Sequence, residues 1–469
     1  MTIRRFPCFA YSWLPLLLVL LLSTSFASAE WNESVLYSFQ GGTDGVTPVG
    51  GIVFDSAGNL YGATQGGGSS SCRSTISQCG TVFQLLPPAK KGDPWTETVL
   101  YVFKGNTNND GAMPFGGLVI DSSGNLYGTT GYGGTGNCSV LGTLMGCGTV
   151  FELSPPAQQG GAWTETVLYS FQSGKDGYLP NGDLVFDSAG NLYGATMYGG
   201  GYGSCNAPYY QYCGTVFELS PPKRKGGKWA EKVLDRFAGI ASGKRYGDGA
   251  NPNGGLVLDS KDAIYGTTNI GGYNCPHSSN QGCGIVFKLN PPAERGGAWG
   301  KDVLRRFNES DGCYPDAGVI FDSGGNVYGT TVCGGSDGVG TVFELKPPSG
   351  KSHSWAESVL YSFSGGNDGA NPMASPIFRD GENLYGTAYA GQSVAGTVFR
   401  LTHSRKETWT FSVLYGFGGA PDGAQPAAGF IVDVTGSLYS TTQMGGTGTA
   451  CQFGCGTVFE ISPQRKRLD

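Results

Sequence analysis

The chain reads as an all-β protein: a seven-bladed β-propeller of four-stranded antiparallel blades, closed by the N-terminal strand 31–39 pairing with the last blade. Three observations predict this. Four residue series each recur seven times, each repeat carries four strand-like segments, and one strand is displaced from the end of the repeats to their beginning. Fixed-period repetition outranks any other fold signal, because each unit can bury its apolar face only against a neighbour.

The tyrosine of Asn59-Leu60-Tyr61-Gly62 recurs at Tyr127, Tyr193, Tyr265, Tyr328, Tyr385 and Tyr439, with spacings of 66, 66, 72, 63, 57 and 54 residues. An Asp-Gly begins at Asp44, Asp110, Asp176, Asp248, Asp311, Asp368 and Asp422, with the same spacings. A Val-Phe pair ends at Phe83, Phe151, Phe217, Phe287, Phe343, Phe399 and Phe459, and a tryptophan stands at 31, 95, 163, 229, 299, 355 and 409.

The first repeat defines the elements. Gly51-Ile52-Val53-Phe54 is an apolar run, strand a. Asp55-Ser56-Ala57-Gly58-Asn59 is turn chemistry, because Asp, Ser and Asn bond the local backbone and Gly accepts a positive φ. Leu60 to Thr64 returns as strand b of a hairpin. After a glycine-rich loop, Gly80 to Leu85 forms strand c, which Pro87-Pro88 stops because proline has no amide to donate. Thr96 to Phe103, opened by Trp95, is strand d. The chain begins its repeats with a lone d strand, Trp31 to Phe39, and its last repeat ends after strand c at Ile461. Pairing the two closes a ring and removes two exposed edges. A linear solenoid would leave both open and needs atypical capping repeats. A single sheet of all these strands is excluded by twist.

Residues 1–29 do not read as fold. Arg4 and Arg5, the apolar run Trp13 to Leu22 and Ala27-Ser28-Ala29 make a secretory signal peptide, with cleavage expected before Glu30. Residues 30–463 are expected to form a single propeller and 464–469 a short basic tail. The expected location is secreted, extracytoplasmic, with no membrane span after cleavage and release rather than anchoring. Glycine is abundant, 81 of 469 residues, which disfavours helices and suits short strands joined by turns. The formal charge of −6 becomes −8 once Arg4 and Arg5 are lost, poor footing for a phosphate backbone, so nucleic acid is excluded as a partner.

Twelve cysteines remain after cleavage, an even number in an oxidising compartment. Five local pairs fall in b–c loops: Cys72 with Cys79, Cys138 with Cys147, Cys205 with Cys213, Cys275 with Cys283, and Cys451 with Cys455. The sixth, Cys313 with Cys333, joins a d–a loop to a b–c loop, which emerge on one face of the disc. Local pairs at varied spacing do not assemble one four-ligand metal site, so disulfides are expected and no metal or cofactor.

The repeat resembles the GloVer tandem repeat of bacterial extracytoplasmic proteins. Gly-Thr-Val-Phe-Glu-Leu at 148–153 and 214–219, following Asn-Leu-Tyr-Gly at 125–128 and 191–194, carries the resemblance, which spans residues 31–463. The a–b hairpin is similar to that of NHL-type propellers. The resemblance implies export and a propeller-like repeat, and no activity.

A single active site should break the repeat, so the recurring Asp-Gly and Trp series read as turn and packing devices. His277, His353 and His403 sit in three different blades, and no nucleophile elbow, zinc motif or phosphate loop occurs. The symmetry-breaking positions are tyrosines in the b–c loops: Tyr132, Tyr198, Tyr202, Tyr209, Tyr210, Tyr212 and Tyr273. Clustered loop tyrosines combine apolar area with a polar tip, which suits glycan or extracellular protein ligands. The expected function is a non-enzymatic, monomeric binding or scaffold protein using the cysteine-loop face. A hydrolase or lyase acting on a polysaccharide or lactone at the central pore is the second expectation, and it requires two or more acids converging on the axis. A structural surface protein without a specific ligand is the third.

Overall fold

The computed structural model describes residues 31–463, apart from 69–78, 91, 107–108, 141–142, 159, 202–212, 225, 240–246, 274, 276–280, 295, 351–353, 393–394 and 405–407. The leader 1–29 and the tail 464–469 lie outside the described residues. Seven antiparallel four-stranded sheets follow one another along the chain, each in the order a-b-c-d from the axis outward. Blade 1 runs through Val53–Phe54, Leu60–Thr64, Thr81–Leu86 and Thr96–Val102. No α-helix occurs among the described residues.

The last blade takes its outer strand from the start of the chain. Trp31–Ser38 pairs antiparallel with Thr457–Pro463, in a register running from Trp31 opposite Pro463 to Ser38 opposite Thr457. This strand carries the same bulge as the other d strands. It skips Leu36 between Val35 and Tyr37, just as Leu100 is skipped between Val99 and Tyr101 in blade 1.

The core lies between blades, not within them. Each of seven apolar clusters joins two neighbouring blades, and one of them unites Tyr439, Cys455 and Val458 of blade 7 with Ile52, Leu60 and Phe83 of blade 1. The phenylalanine that follows each d strand meets the strand-c phenylalanine of the next blade edge to face. Phe39 lies 5.1 Å from Phe83, Phe103 5.1 Å from Phe151 and Phe171 5.2 Å from Phe217. The series continues through Phe237–Phe287, Phe307–Phe343, Phe363–Phe399 and Phe417–Phe459. Such pairs contribute about 0.5–1.5 kcal/mol each beyond their buried area. The closing seam has the same geometry as the other six. Tryptophans that open d strands serve the same seams: Trp163 packs on Tyr61 of the preceding blade at 6.1 Å, and Trp31 on Tyr385 at 5.8 Å.

Backbone also stitches the seams. The residue before each strand-a proline has a left-handed backbone, even where it is Thr47, Met113, Leu179 or Tyr314, with φ between 54° and 57°. That twist turns its amide toward the preceding blade. Met113 donates to the Cys79 carbonyl at 2.7 Å, and Thr47 donates to that of Cys455 at 2.9 Å. The proline then lies against the glycine that opens strand c: a Cβ at Gly80 would stand 2.7 Å from Pro114 Cδ. The Gly of Gly-Thr-Val-Phe is therefore a docking surface for the next blade.

Candidate functional site

Cysteines bind where expected in the described residues. Disulfides join Cys138 to Cys147, Cys275 to Cys283, Cys313 to Cys333 and Cys451 to Cys455. Cys79 and Cys213 are also disulfide-bonded, and their expected partners Cys72 and Cys205 lie outside the described residues. The non-local pair has a simple origin. In every blade the residue after Asp-Gly faces one in the b–c loop, as Val46 faces Gly66 and Ala250 faces Ile270. Cys313 and Cys333 are that pair in blade 5.

The tyrosines chosen from the sequence occupy the same column or its loop. Tyr132 pairs with Ala112, is half-buried, and lies 6.3 Å from Phe115 against the seam core. Tyr198 faces Tyr178, their rings 5.3 Å apart. Tyr273 is 36% exposed. Tyr202, Tyr209, Tyr210 and Tyr212 lie outside the described residues, as do His277 and His353. His403 packs on Trp409 at 4.7 Å on the opposite face. Donor atoms of Cys275, Cys283 and Glu309 gather within 4.8 Å, but both sulfurs are spent in a disulfide.

Among the described residues, the loop face carries concavities at the axis, over blades 6 and 7, and beside the Cys275 and Cys313 disulfides. One is the axial well, about 320 Å³, lined by the start of strand a from all seven blades. The residue after the strand-a proline faces it. On one wall this residue is Val49, Phe115, Met373 or Ala427; on the other it is Asn181, Asn253 or Asp316. Asp183 adds a second carboxylate from a bulge in blade 3, where the register slips between Asn181 and Val185. Glycines opposite make room for it: a Cβ at Gly117 would lie 2.9 Å from Asp183 Oδ1 and one at Gly51 3.8 Å from Oδ2.

These polar groups are linked across blades. Asn181 donates to Asn253, whose Nδ2 donates to Asp316 Oδ1 at 2.5 Å. Asn269 Nδ2 donates to the same oxygen at 2.8 Å. The Gly117 amide donates to Asp183 Oδ1 at 2.5 Å. Asp183 is exposed to the channel yet ringed by protein. The resulting desolvation raises its carboxyl above the ordinary range, with the Gly117 amide opposing. Burial likewise raises Asp316, against its two carboxamide donors.

The second concavity is a trough of about 1060 Å³ over blades 6 and 7. Strand b of blade 6 ends at Ala388 and strand c begins at Thr397, so its loop is short and has no cysteine. The low loop leaves open the ground beside the Cys451–Cys455 loop. Phe453, 62% exposed, Tyr389 and Met444 give the trough apolar surface, and Gln425, Thr447 and Gln452 give it uncharged polar groups. Among the described residues, no Asp, Glu, His, Lys or Arg lines it. Tyr389 connects the trough to the well. Its hydroxyl donates to Gln425 Oε1 at 2.8 Å and lies 3.3 Å from Oε1 of Gln443, which faces the well.

The axial acids and amides escaped the sequence reading, which searched the b–c loops. A signal existed: the residue after the strand-a proline runs Val, Phe, Asn, Asn, Asp, Met, Ala along the blades, and its polar members are consecutive.

Fold and site together define a closed seven-bladed propeller with an off-centre polar well at its axis. The model of the Gloeobacter/Verrucomicrobia repeat matches residues 24–207, 202–355 and 275–469, and the chain belongs to that family. No curated protein matches it in sequence. Among solved structures it is similar to a polysaccharide lyase of family PL25, an ulvan lyase, at 10% identity, with 92% of this chain and 96% of that one covered and a TM-score of 0.51. The same lyase bound to a glucuronate–sulfated rhamnose unit gives 9% identity, the same coverage and a TM-score of 0.50. The PQQ-bound aldose sugar dehydrogenase of Streptomyces coelicolor gives 12% identity, 93% and 99% coverage and a TM-score of 0.42. These likenesses concern the fold alone.

Proposed function

We propose that this chain is an exported, monomeric binding protein for a neutral glycan, seated in the trough over blades 6 and 7 with one end at the axial well. The lining of the trough carries this reading. An exposed aromatic face beside hydroxyls and carboxamides, with no charge, complements sugar C–H faces and hydroxyls and offers nothing to an ionic ligand. Export is supported by the leader-like residues 1–29 and by the disulfides, which persist in oxidising compartments. No helix among the described residues is long and apolar enough to cross a membrane. The tyrosines of blades 2–4 form a second candidate contact zone on the same face, with Tyr273 its most exposed described member. Retention on a panel of immobilised neutral polysaccharides tests the assignment. Phe453→Ala should weaken retention about tenfold, the effect of losing one buried aromatic anchor, and Tyr273→Ala should leave it intact. The reverse pattern would move the ligand to blades 2–4, and no retention of the unmodified chain would remove the binding reading.

Asp183 and Asp316 favour a second reading, a hydrolase or lyase acting on a polysaccharide or lactone at the axis. Two carboxyl groups whose surroundings raise them line the same axial well, the arrangement that general acid–base chemistry uses. On this reading Asp183→Asn and Asp316→Asn each reduce turnover by about a hundredfold or more, with trough retention unchanged. A polysaccharide and lactone screen in which the unmodified chain is inert discards it.

A further inference from the structure

Each seam between blades is spanned near its rim by three side chains. The first comes from the d strand of one blade, the second is the Asp of Asp-Gly, and the third comes from the d strand of the next blade. In four seams these are Tyr, Asp and Glu. Tyr37 donates to Asp44 at 3.0 Å, Tyr101 to Asp110 at 2.8 Å, Tyr169 to Asp176 at 3.0 Å and Tyr415 to Asp422 at 3.0 Å. Facing these aspartates are Glu97, Glu165, Glu231 and Glu33 respectively. Each glutamate is half-buried, with Oε1 shielded from solvent and without a donor; Asp44 Oδ1 is in the same condition opposite Glu97.

The other three seams change composition in a correlated way. Between blades 3 and 4 the trio is Asp235, Asp248 and Lys301, with Lys301 Nζ 2.7 and 2.6 Å from the two carboxylates. Between blades 4 and 5 it is Arg305, Asp311 and Glu357. Arg305 pairs with Asp311 and lies 3.3 Å from Glu357 Oε2. Between blades 5 and 6 it is Tyr361, Asp368 and Phe411; Tyr361 donates to Asp368 at 2.9 Å and stacks on Phe411 at 3.7 Å. Two acids and one base, or one acid alone, leave each of these three trios a formal charge of minus one. The Tyr–Asp–Glu trios reach the same charge only when one carboxyl keeps its proton.

We propose that Glu33, Glu97, Glu165 and Glu231 are held protonated in the folded ring, each sharing its proton with the seam aspartate, so that these four seams are proton-dependent latches. Two facing carboxyl groups, with the one phenol donating to the aspartate, cannot both ionise cheaply. The proton supplies the donor that the shielded glutamate oxygen lacks. Burial first, then the facing aspartate, pushes all four glutamates up to about 7. The remaining charged neighbours are Lys104 beside Glu165 and Arg236 beside Glu231, and both oppose the shift without cancelling it. A carboxyl raised on folding contributes stability that is present below its unfolded value, 4.5, and is lost as pH rises through its folded value, about 7. The ring therefore tightens in mild acid and loosens above neutrality.

Infrared spectroscopy of the unmodified mature chain at about pH 6 should show a protonated-carboxyl C=O band that fades as pH rises through the latch range. Its melting temperature should fall by roughly 5 °C between about pH 5 and pH 8.5. The isosteric variant E33Q/E97Q/E165Q/E231Q should lose most of that band, melt with little dependence on pH and exceed the unmodified chain at the alkaline end. Absence of the band, or a variant whose melting follows pH as steeply as the unmodified chain, overturns the proposal. The band is read without any substitution, so a variant that fails to fold does not shelter it.

Discussion

A Cβ at Gly194 would stand 2.5 Å from Cζ of Phe217, the strand-c ring of its own blade. The same contact recurs at Gly62, Gly128, Gly266, Gly329 and Gly386. Glycine follows the strand-b tyrosine because the tip of the neighbouring strand's ring reaches it, not because the backbone demands it; Gly194 has an ordinary φ. In blade 7 the position is Ser440, whose hydroxyl donates to the Ala428 carbonyl at 3.1 Å. Gly190, in the a–b turn, is the opposite case: φ is +82° and nothing lies within 4 Å of its missing Cβ. Gly194→Ala should therefore destabilise by about 1–3 kcal/mol through overpacking, whereas Gly190→Ala should cost about 1 kcal/mol from backbone strain alone. Urea unfolding of the two variants checks the ranking. The turn aspartates are equally local. Burial would raise Asp55, but donors from Asn59, Tyr61 and Ala57 outweigh it and hold the carboxyl below its ordinary value. The turn sequence announces that role directly.

At the scale of elements, the outer strands follow their sequence pattern closely and the inner ones do not. The expected strand a of blade 1, Gly51 to Phe54, keeps ladder pairing only at Val53 and Phe54. Its glycines leave the ladder to approach the next blade: a Cβ at Gly50 would sit 2.3 Å from the Gly116 carbonyl oxygen. Blade 3 departs furthest, with a nine-residue inner strand, Tyr178–Phe186, broken by the bulge that presents Asp183. A bulge inserted beside a cavity re-aims a side chain. Position along the chain does not reveal it, because Asp183 stands where the other blades have Gly51, Gly117, Gly255, Gly318, Ser375 and Gly429, and only the register shows which way it turns. The tyrosine column was legible as variation, but pairing across the a–b ladder shows Tyr132 and Tyr198 to be half-buried members of a repeated structural contact.

For the whole molecule, closure converts seven weakly self-sufficient blades into one cooperative body. Each apolar cluster fills one seam between two blades, so losing one blade exposes two cores. Deleting residues 31–39 removes a complete outer strand, the Phe39–Phe83 contact and the Glu33 latch of the last blade. The truncated chain should melt at least 10 °C lower, in keeping with a loss of several kcal/mol, or unfold in separate steps. A melting temperature equal to that of the intact ring, read by circular dichroism, would show that the strand does not hold it.

The sequence by itself determined the number of blades, the four strands of each, the closing strand and the cysteine pairs that can be checked. All of these are set by local patterns of polarity, turn chemistry and repetition that one linear reading can compare. Tertiary structure alone decided where the repeat departs from itself to useful effect. Asn181, Asp183, Asn253 and Asp316 come from three blades, and the glutamate and aspartate of each latch lie 53 to 55 residues apart or, at the seam between blades 6 and 7, at opposite ends of the chain. Such groups act on one another only through space, and their charge, burial and shared protons are defined once the ring has brought them together.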